Sequence, residues 1–185
     1  MDQTDTAINN KLKWRFWLFF CVAGFFIVWM KHYLSPLRSS EIVQYEMAKT
    51  VDTAAALTKL WMLDGKFDIL VKSIYVDYIF IIIYCMAIST ACRFISSLTK
   101  NEIFITAGSF FSYLIFAAGI FDVIENIAMS KDLHQAVNFA NVSLVYKMAI
   151  SKFSILLMTL FFIAVCFIFW LISAIKLKDK SWQRA

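Results

Sequence analysis

A chain of 185 residues that is 61% hydrophobic and only 17% charged is too apolar for a water-soluble domain. Its net charge of +5 does not point to nucleic acid, because the basic residues flank apolar runs and form no patch interleaved with exposed aromatics. His32 and His134 stand beside segment ends, and Cys21, Cys85, Cys92 and Cys166 lie within apolar runs at no metal-binding spacing; no metal or cofactor is expected, and the cysteines read as buried free thiols.

Taken in order, polar residues 1–13 are expected to fray. Residues 14–34 form the first membrane helix, an apolar run from Phe16 to Met30 with Trp14, Trp17, Trp29 and Tyr33 at its margins, as in interfacial aromatic belts. No small-x-small cleavage site precedes Pro36, and the stretch approaches spanning length, which favours a retained helix over a signal peptide. Residues 35–72 are the one long polar segment, with Arg38, Glu41, Glu46, Lys49, Asp52, Lys59, Asp64, Lys66, Asp68 and Lys72. Within it Ile42, Tyr45, Ala48, Ala55, Leu57, Leu60 and Trp61 recur at near-helical spacing and Asp64-Gly65 offers a stop. One or two amphipathic helices are predicted in 40–72, lying on the membrane or capping the bundle; a ligand lid would be their functional counterpart.

Three further membrane helices are predicted at 73–95, 103–129 and 145–175, joined by the polar turn Arg93 to Glu102 and the polar connection Ser130 to Asn141. Gly108, Ala117, Ala118 and Gly119 give the third a surface for close helix contact. The fold class is therefore all-α, a polytopic four-transmembrane-helix bundle forming a single membrane domain over 1–185, with an amphipathic helical loop between helices one and two.

Lys11, Lys13, Arg15, Arg93, Lys100 and the tail residues Lys176, Lys178, Lys180 and Arg184 fall on one side of such a bundle. The positive-inside rule makes that side cytoplasmic, with both termini inside. The opposite side holds as many basic residues, but most sit in or beside the longer 31–72 connection, where the rule weighs less.

The polar residues inside the apolar runs set the functional question. Asp122, Glu125 and Asn126 share one face of the third helix at i, i+3 and i+4. An acidic residue at a membrane-helix centre costs roughly 2.5–3.5 kcal/mol on insertion scales, so such groups face the bundle. Wheel positions put Asp77 and Tyr84 on one face of the second helix and Lys152 and Thr159 on one face of the fourth. Antiparallel connection brings Asp77, Asp122, Glu125 and Lys152 to the same side, at depths of roughly 6–10 Å by helical rise. Asp122 or Glu125 is expected to pair with Lys152, Asn126 to donate to a carboxylate, and Tyr84 to close the inner end. Lys147 falls on the other side of its helix. With acid in excess over lysine, at least one carboxyl is expected to carry a proton. The bland alternative is a polar staple that fixes helix register, although interhelical polar contacts average only ~0.6 kcal/mol.

The run Leu60-Trp61 with Gly65, then Val76-Asp77-Tyr78-Ile79-Phe80 with Tyr84, then Phe121-Asp122-Val123-Ile124-Glu125-Asn126, then Lys152, resembles a family of uncharacterised four-helix bacterial integral membrane proteins. Its members show W-x-x-x-G, D-Y-x-F-x-x-x-Y, D-x-x-E-N and a lysine in the last span. The resemblance covers Leu57 to Ser154 and departs at Leu63-Asp64 before the glycine. It implies a multi-pass protein of the bacterial cytoplasmic membrane and carries no activity across.

The expected function is binding of a small amphipathic or lipid-derived ligand, or an accessory role, at an outward-facing site of Asp77, Tyr84, Asp122, Glu125, Asn126 and Lys152, in a pocket open toward the outer leaflet. The same residues serve the alternative of an acid/base enzyme on a lipid, with Asp122 or Glu125 as base and Asp77 or Lys152 as acid. Proton-coupled transport ranks third, since four helices without a repeated half do not make a self-sufficient carrier.

Overall fold

The computed structural model describes the backbone of residues 3–182 and the side chains of residues 10–176. Its elements are α1 (Gln3–Tyr33), α2 (Ser39–Glu46), α3 (Val51–Leu63), α4 (Phe67–Leu98), α5 (Glu102–His134) and α6 (Phe139–Trp182), with no strand among the described residues. Four of these, α1, α4, α5 and α6, are long and apolar enough to cross a membrane. The chain is an all-helical, multi-pass membrane bundle.

The central unit is α4, α5 and α6, which pack on one another, while α1 packs chiefly on α4. Ring stacking between Phe16 and Phe94 (5.0 Å) and between Phe26 and Phe80 (6.0 Å) seats α1. This peripheral seat leaves most of α1 facing outward. Cys21 is consequently exposed, unlike the buried Cys85, Cys92 and Cys166, which corrects the expectation that all four thiols are buried. The polar N-terminal stretch expected to fray is helical from Gln3 onward. The side chains of Lys178 and Lys180, and all of Arg184, lie outside the described residues.

The helices are longer than the apolar runs alone suggest. α4 starts at Phe67, not at 73, α5 continues through the polar residues to His134, and α6 starts at Phe139, not at 145. At 32, 33 and 44 residues, each exceeds the ~20 needed to cross the hydrocarbon core. Asp77 thus lies roughly 15 Å from the start of α4, where counting from residue 73 gave roughly 6 Å.

Local signals set the ends. Thr50 caps α3, its side chain accepting from the Thr53 N–H at 3.3 Å, and Asn101 caps α5, accepting from the Ile103 N–H at 2.9 Å. The end of α3 falls at the expected stop: Gly65 has φ +67°, its N–H donates to the Met62 carbonyl at 3.3 Å, and the Lys66 N–H donates to the Trp61 carbonyl at 2.8 Å. Those are the two bonds of a Schellman motif, and only glycine takes the left-handed position without cost.

Apolar packing runs in three layers along the bundle. Beside α2 and α3, Tyr45, Trp61, Leu70, Ile74, Met129 and Val145 are buried. Ile81, Tyr84, Cys85, Ile115 and Ala118 fill the middle, and Cys92, Phe162 and Cys166 the far end. Far-end contact is close because Gly108 meets α4 backbone: a Cβ there would lie 2.9 Å from the Cys92 carbonyl oxygen and against Ser96 Oγ.

Candidate functional site

Lys152, thirteen residues into α6, brings the site together. Its Nζ donates to Asp122 Oδ1 at 2.8 Å and Glu125 Oε1 at 2.9 Å, both from α5, and to Glu46 Oε1 at 3.4 Å, from α2. Tyr84 on α4 donates its hydroxyl to Asp122 Oδ2 at 2.9 Å. Three helices thus meet at one ammonium, and α4 joins them through Asp122. The expected pairing of Lys152 with Asp122 or Glu125 is made with both.

Asp77 and Asn126 form a second pair on the α4–α5 seam, Asn126 Nδ2 donating to Asp77 Oδ2 at 2.7 Å. Asp77 is half-buried, whereas Glu125 is fully buried and Asp122, Asn126 and Lys152 are nearly so. Lys147 is exposed, as its wheel position required.

The hydrogen-bond inventory around Lys152 closes on one side only. An ammonium has three N–H donors, and here three carboxylates take them. Asp122 has both oxygens occupied, one by lysine and one by Tyr84. Glu125 Oε2 and Glu46 Oε2, both buried, have no partner. Thr159 Oγ1, two turns along α6 from Lys152, is likewise buried and unpartnered.

Sequence reasoning placed Glu46 merely among the charges of a polar loop, and the structure makes it part of the site. α2 acts as a roof, so the cluster is closed at the end expected to open toward the membrane surface. Three contacts seat that roof. Glu41 receives the Trp61 indole N–H at 3.1 Å and Lys66 Nζ at 3.1 Å, tying α2 to the Schellman turn of α3. Tyr45, adjacent to Glu46, donates its hydroxyl to Asp132 Oδ2 at 3.1 Å. Burial first, and the Asp132 charge next, hold the Tyr45 phenol well above its ordinary range, so it remains a donor.

Asp132 was also missed. It is buried at the end of α5, where Oδ1 receives Asn141 Nδ2 at 2.8 Å and more distant Asn138 donors at 3.4 Å. Signals for both residues existed. Asp132 lies seven residues beyond Glu125, on the buried stripe through Ile115, Ala118, Asp122 and Glu125, and Glu46 lies four residues beyond Ile42 on the inward face of α2.

Elsewhere, an apolar groove of about 420 Å³ runs between α4 and α5, lined by residues including Ile82, Cys85, Phe116, Gly119 and Val123. Among the described residues no group of His, Cys, Asp and Glu side chains has a metal-binding arrangement. No family model, no curated protein and no solved structure matches the chain.

Proposed function

We propose that this multi-pass protein binds a small amphipathic or lipid-derived molecule at the cluster under α2, through a head group that carries an ammonium or hydroxyl donor. The observation that carries this reading is an ion cluster sealed by a helix outside the spans. Three carboxylates surround one ammonium at the level of the spanning helices, and the third belongs to α2, which is held by side-chain contacts and can leave without unfolding a span. Acid in excess over base favours a cationic or donor-rich head, and the apolar walls of α4, α5 and α6 suit a hydrocarbon stem. Fixing helix register alone would need fewer charges, since buried ion pairs are often no better than apolar isosteres.

In this proposal the bilayer is the bacterial inner membrane, both termini are cytoplasmic, and α2 and α3 lie on the outer side, with the family resemblance of the W-x-x-x-G and D-x-x-E-N elements as support. The W-x-x-x-G spacing gains a physical sense. Gly65 turns the chain so that Trp61 and Lys66 both reach Glu41 and fix the roof. A cysteine introduced at the exposed Ser39 should react with an impermeant reagent added to the outside of intact cells; reaction only after the cytoplasmic face is opened would reverse the orientation.

A second reading, acid/base chemistry on a lipid, draws on the continuous hydrogen-bond chain from Tyr84 through Asp122 and Lys152 to Glu125. Mass spectrometry of the gently extracted protein tests the binding proposal. The expected result is a bound species with an ammonium or hydroxyl head, enriched over its share of the surrounding bilayer. Bulk lipids in bulk proportion would contradict it.

A further inference from the structure

The structure assigns a second ligand to this cluster: a single proton held between the carboxyls of Glu46 and Glu125. Both side chains are sequestered, Glu125 with no exposed surface and Glu46 at 7%. Each uses one oxygen on Lys152 and leaves the other, Oε2, buried with no donor. The lysine has no N–H to spare, and Tyr84 is committed to Asp122. Buried polar atoms in folded proteins find partners, so two carboxylate oxygens lacking donors at one ammonium call for a proton. If one carboxyl is the acid, its O–H donates to the neighbouring carboxylate and removes the repulsion between the two ions. Charge balance agrees. Three ionised carboxylates against one ammonium would leave the buried cluster at −2, and one proton halves that excess.

The groups facing this pair are Lys152 from α6, Asp122 from α5, Tyr84 and Asp77 from α4, and the two carboxyls themselves, from α2 and α5. Only Lys152 among them is cationic, so ionising both members of the pair leaves Glu46 held to the cluster by one long contact and opposed by like charge. The proton therefore fastens the roof. Together with the ligand reading above, on which this one step rests, a cationic head entering the cluster displaces the proton to water, and the site's charge is the same before and after.

Glutamine at either position imitates the shared proton, because its amide donates an N–H and the remaining glutamate ionises without changing the cluster's charge. Infrared spectroscopy of the full chain in lipid nanodiscs at neutral pH should show a protonated-carboxyl carbonyl band that moves in heavy water. The difference spectrum should lose that band in Glu46→Gln and in Glu125→Gln. Thermal stability of the wild-type protein should fall as pH rises, because the folded cluster holds a proton that the unfolded chain gives up. In Glu46→Gln that alkaline loss should be largely absent. A wild-type spectrum without the band overturns the proposal, as does a band undiminished in both variants, or one pH profile shared by wild type and Glu46→Gln. Because absence of the band from the wild type overturns the proposal without either variant, and either variant can assign the band, the test survives a single variant that fails to fold. It is also independent of the ligand: a proton band without any enriched lipid would leave this inference standing and remove the binding proposal, and the converse result would do the reverse.

Discussion

At the end of the bundle that carries the Thr99–Asn101 turn, α4, α5 and α6 are held largely by contact. Phe111 stacks on Phe162 at 4.6 Å, Phe104 meets Phe169 at 4.9 Å, and Gly108 lets α5 close on the Cys92 and Ser96 turn of α4. Arg93, next to Cys92 in the chain, is turned to Ser112 and the face of Tyr113, outside the buried cluster of Cys92, Phe162 and Cys166. At the roofed end the same three helices enclose Asp122, Glu125 and Lys152 and recruit a carboxylate from α2. The far end demonstrates that this sequence can hold the helices together with aromatic and small-residue packing. Charge at the roofed end is thus an addition to a bundle that has another way to cohere, and its placement under a peripheral helix is what supports the binding proposal.

Breaking the roofed end at its lysine should have the largest effect. Lys152→Met strands up to three buried carboxyls, and loss of one partner of a buried ion pair costs about 3–5 kcal/mol. A large drop in melting temperature in detergent is expected, with partial recovery in the double variant carrying Asp122→Asn. Additive losses from the two substitutions would show that they do not share one cluster.

The far end should respond to volume and ignore charge. Gly108→Leu forces a side chain against the Cys92 carbonyl and should cost about 1–3 kcal/mol as overpacking. Its melting temperature should fall while any bound species at the roofed end is retained. Loss of that species in a protein still folded would mean the two ends are coupled.

The smallest effect belongs to the roof seat. Tyr45→Phe keeps the ring in its apolar layer and removes only the hydroxyl donated to Asp132, which retains its asparagine donors. A loss of about 0.5–1.5 kcal/mol is expected for one hydrogen bond. Hydrogen exchange should quicken in α2 before it quickens in α5 or α6.

Much of this arrangement was legible in the sequence, for a physical reason. Membrane helices announce themselves through apolar length, and an acid in such a run must face protein, so Asp122, Glu125, Asn126, Tyr84 and Lys152 could be placed on facing stripes from spacing alone. The glycine stop at Gly65 was readable because a left-handed helix end needs that residue. Helix ends were less so, because α4, α5 and α6 continue into polar sequence where hydropathy stops reporting and protein contacts from α2 and α3 take over. Glu46 and Asp132 were hidden for the same reason. Each sits in a stretch polar enough to read as solvated, and burial there depends on how α2 folds back over the bundle, a tertiary fact that local periodicity does not carry. The reverse holds for Cys21, which looked buried because its surroundings are apolar, although the face it occupies on α1 is outward.

The most direct test of the account compares native mass spectra of the wild-type protein and Glu125→Gln, prepared at matched temperature after both show the same helical content and similar melting. Glutamine fills the same volume and keeps α2 seated, but it removes a carboxylate from the set that would receive a donor-bearing head. The expected result is an intact variant from which the bound amphipathic species is lost or reduced at least tenfold, a change of about 1.4 kcal/mol in binding free energy. Equal occupancy in the two proteins, with the fold unchanged, would contradict it and leave the cluster as a fastening between helices.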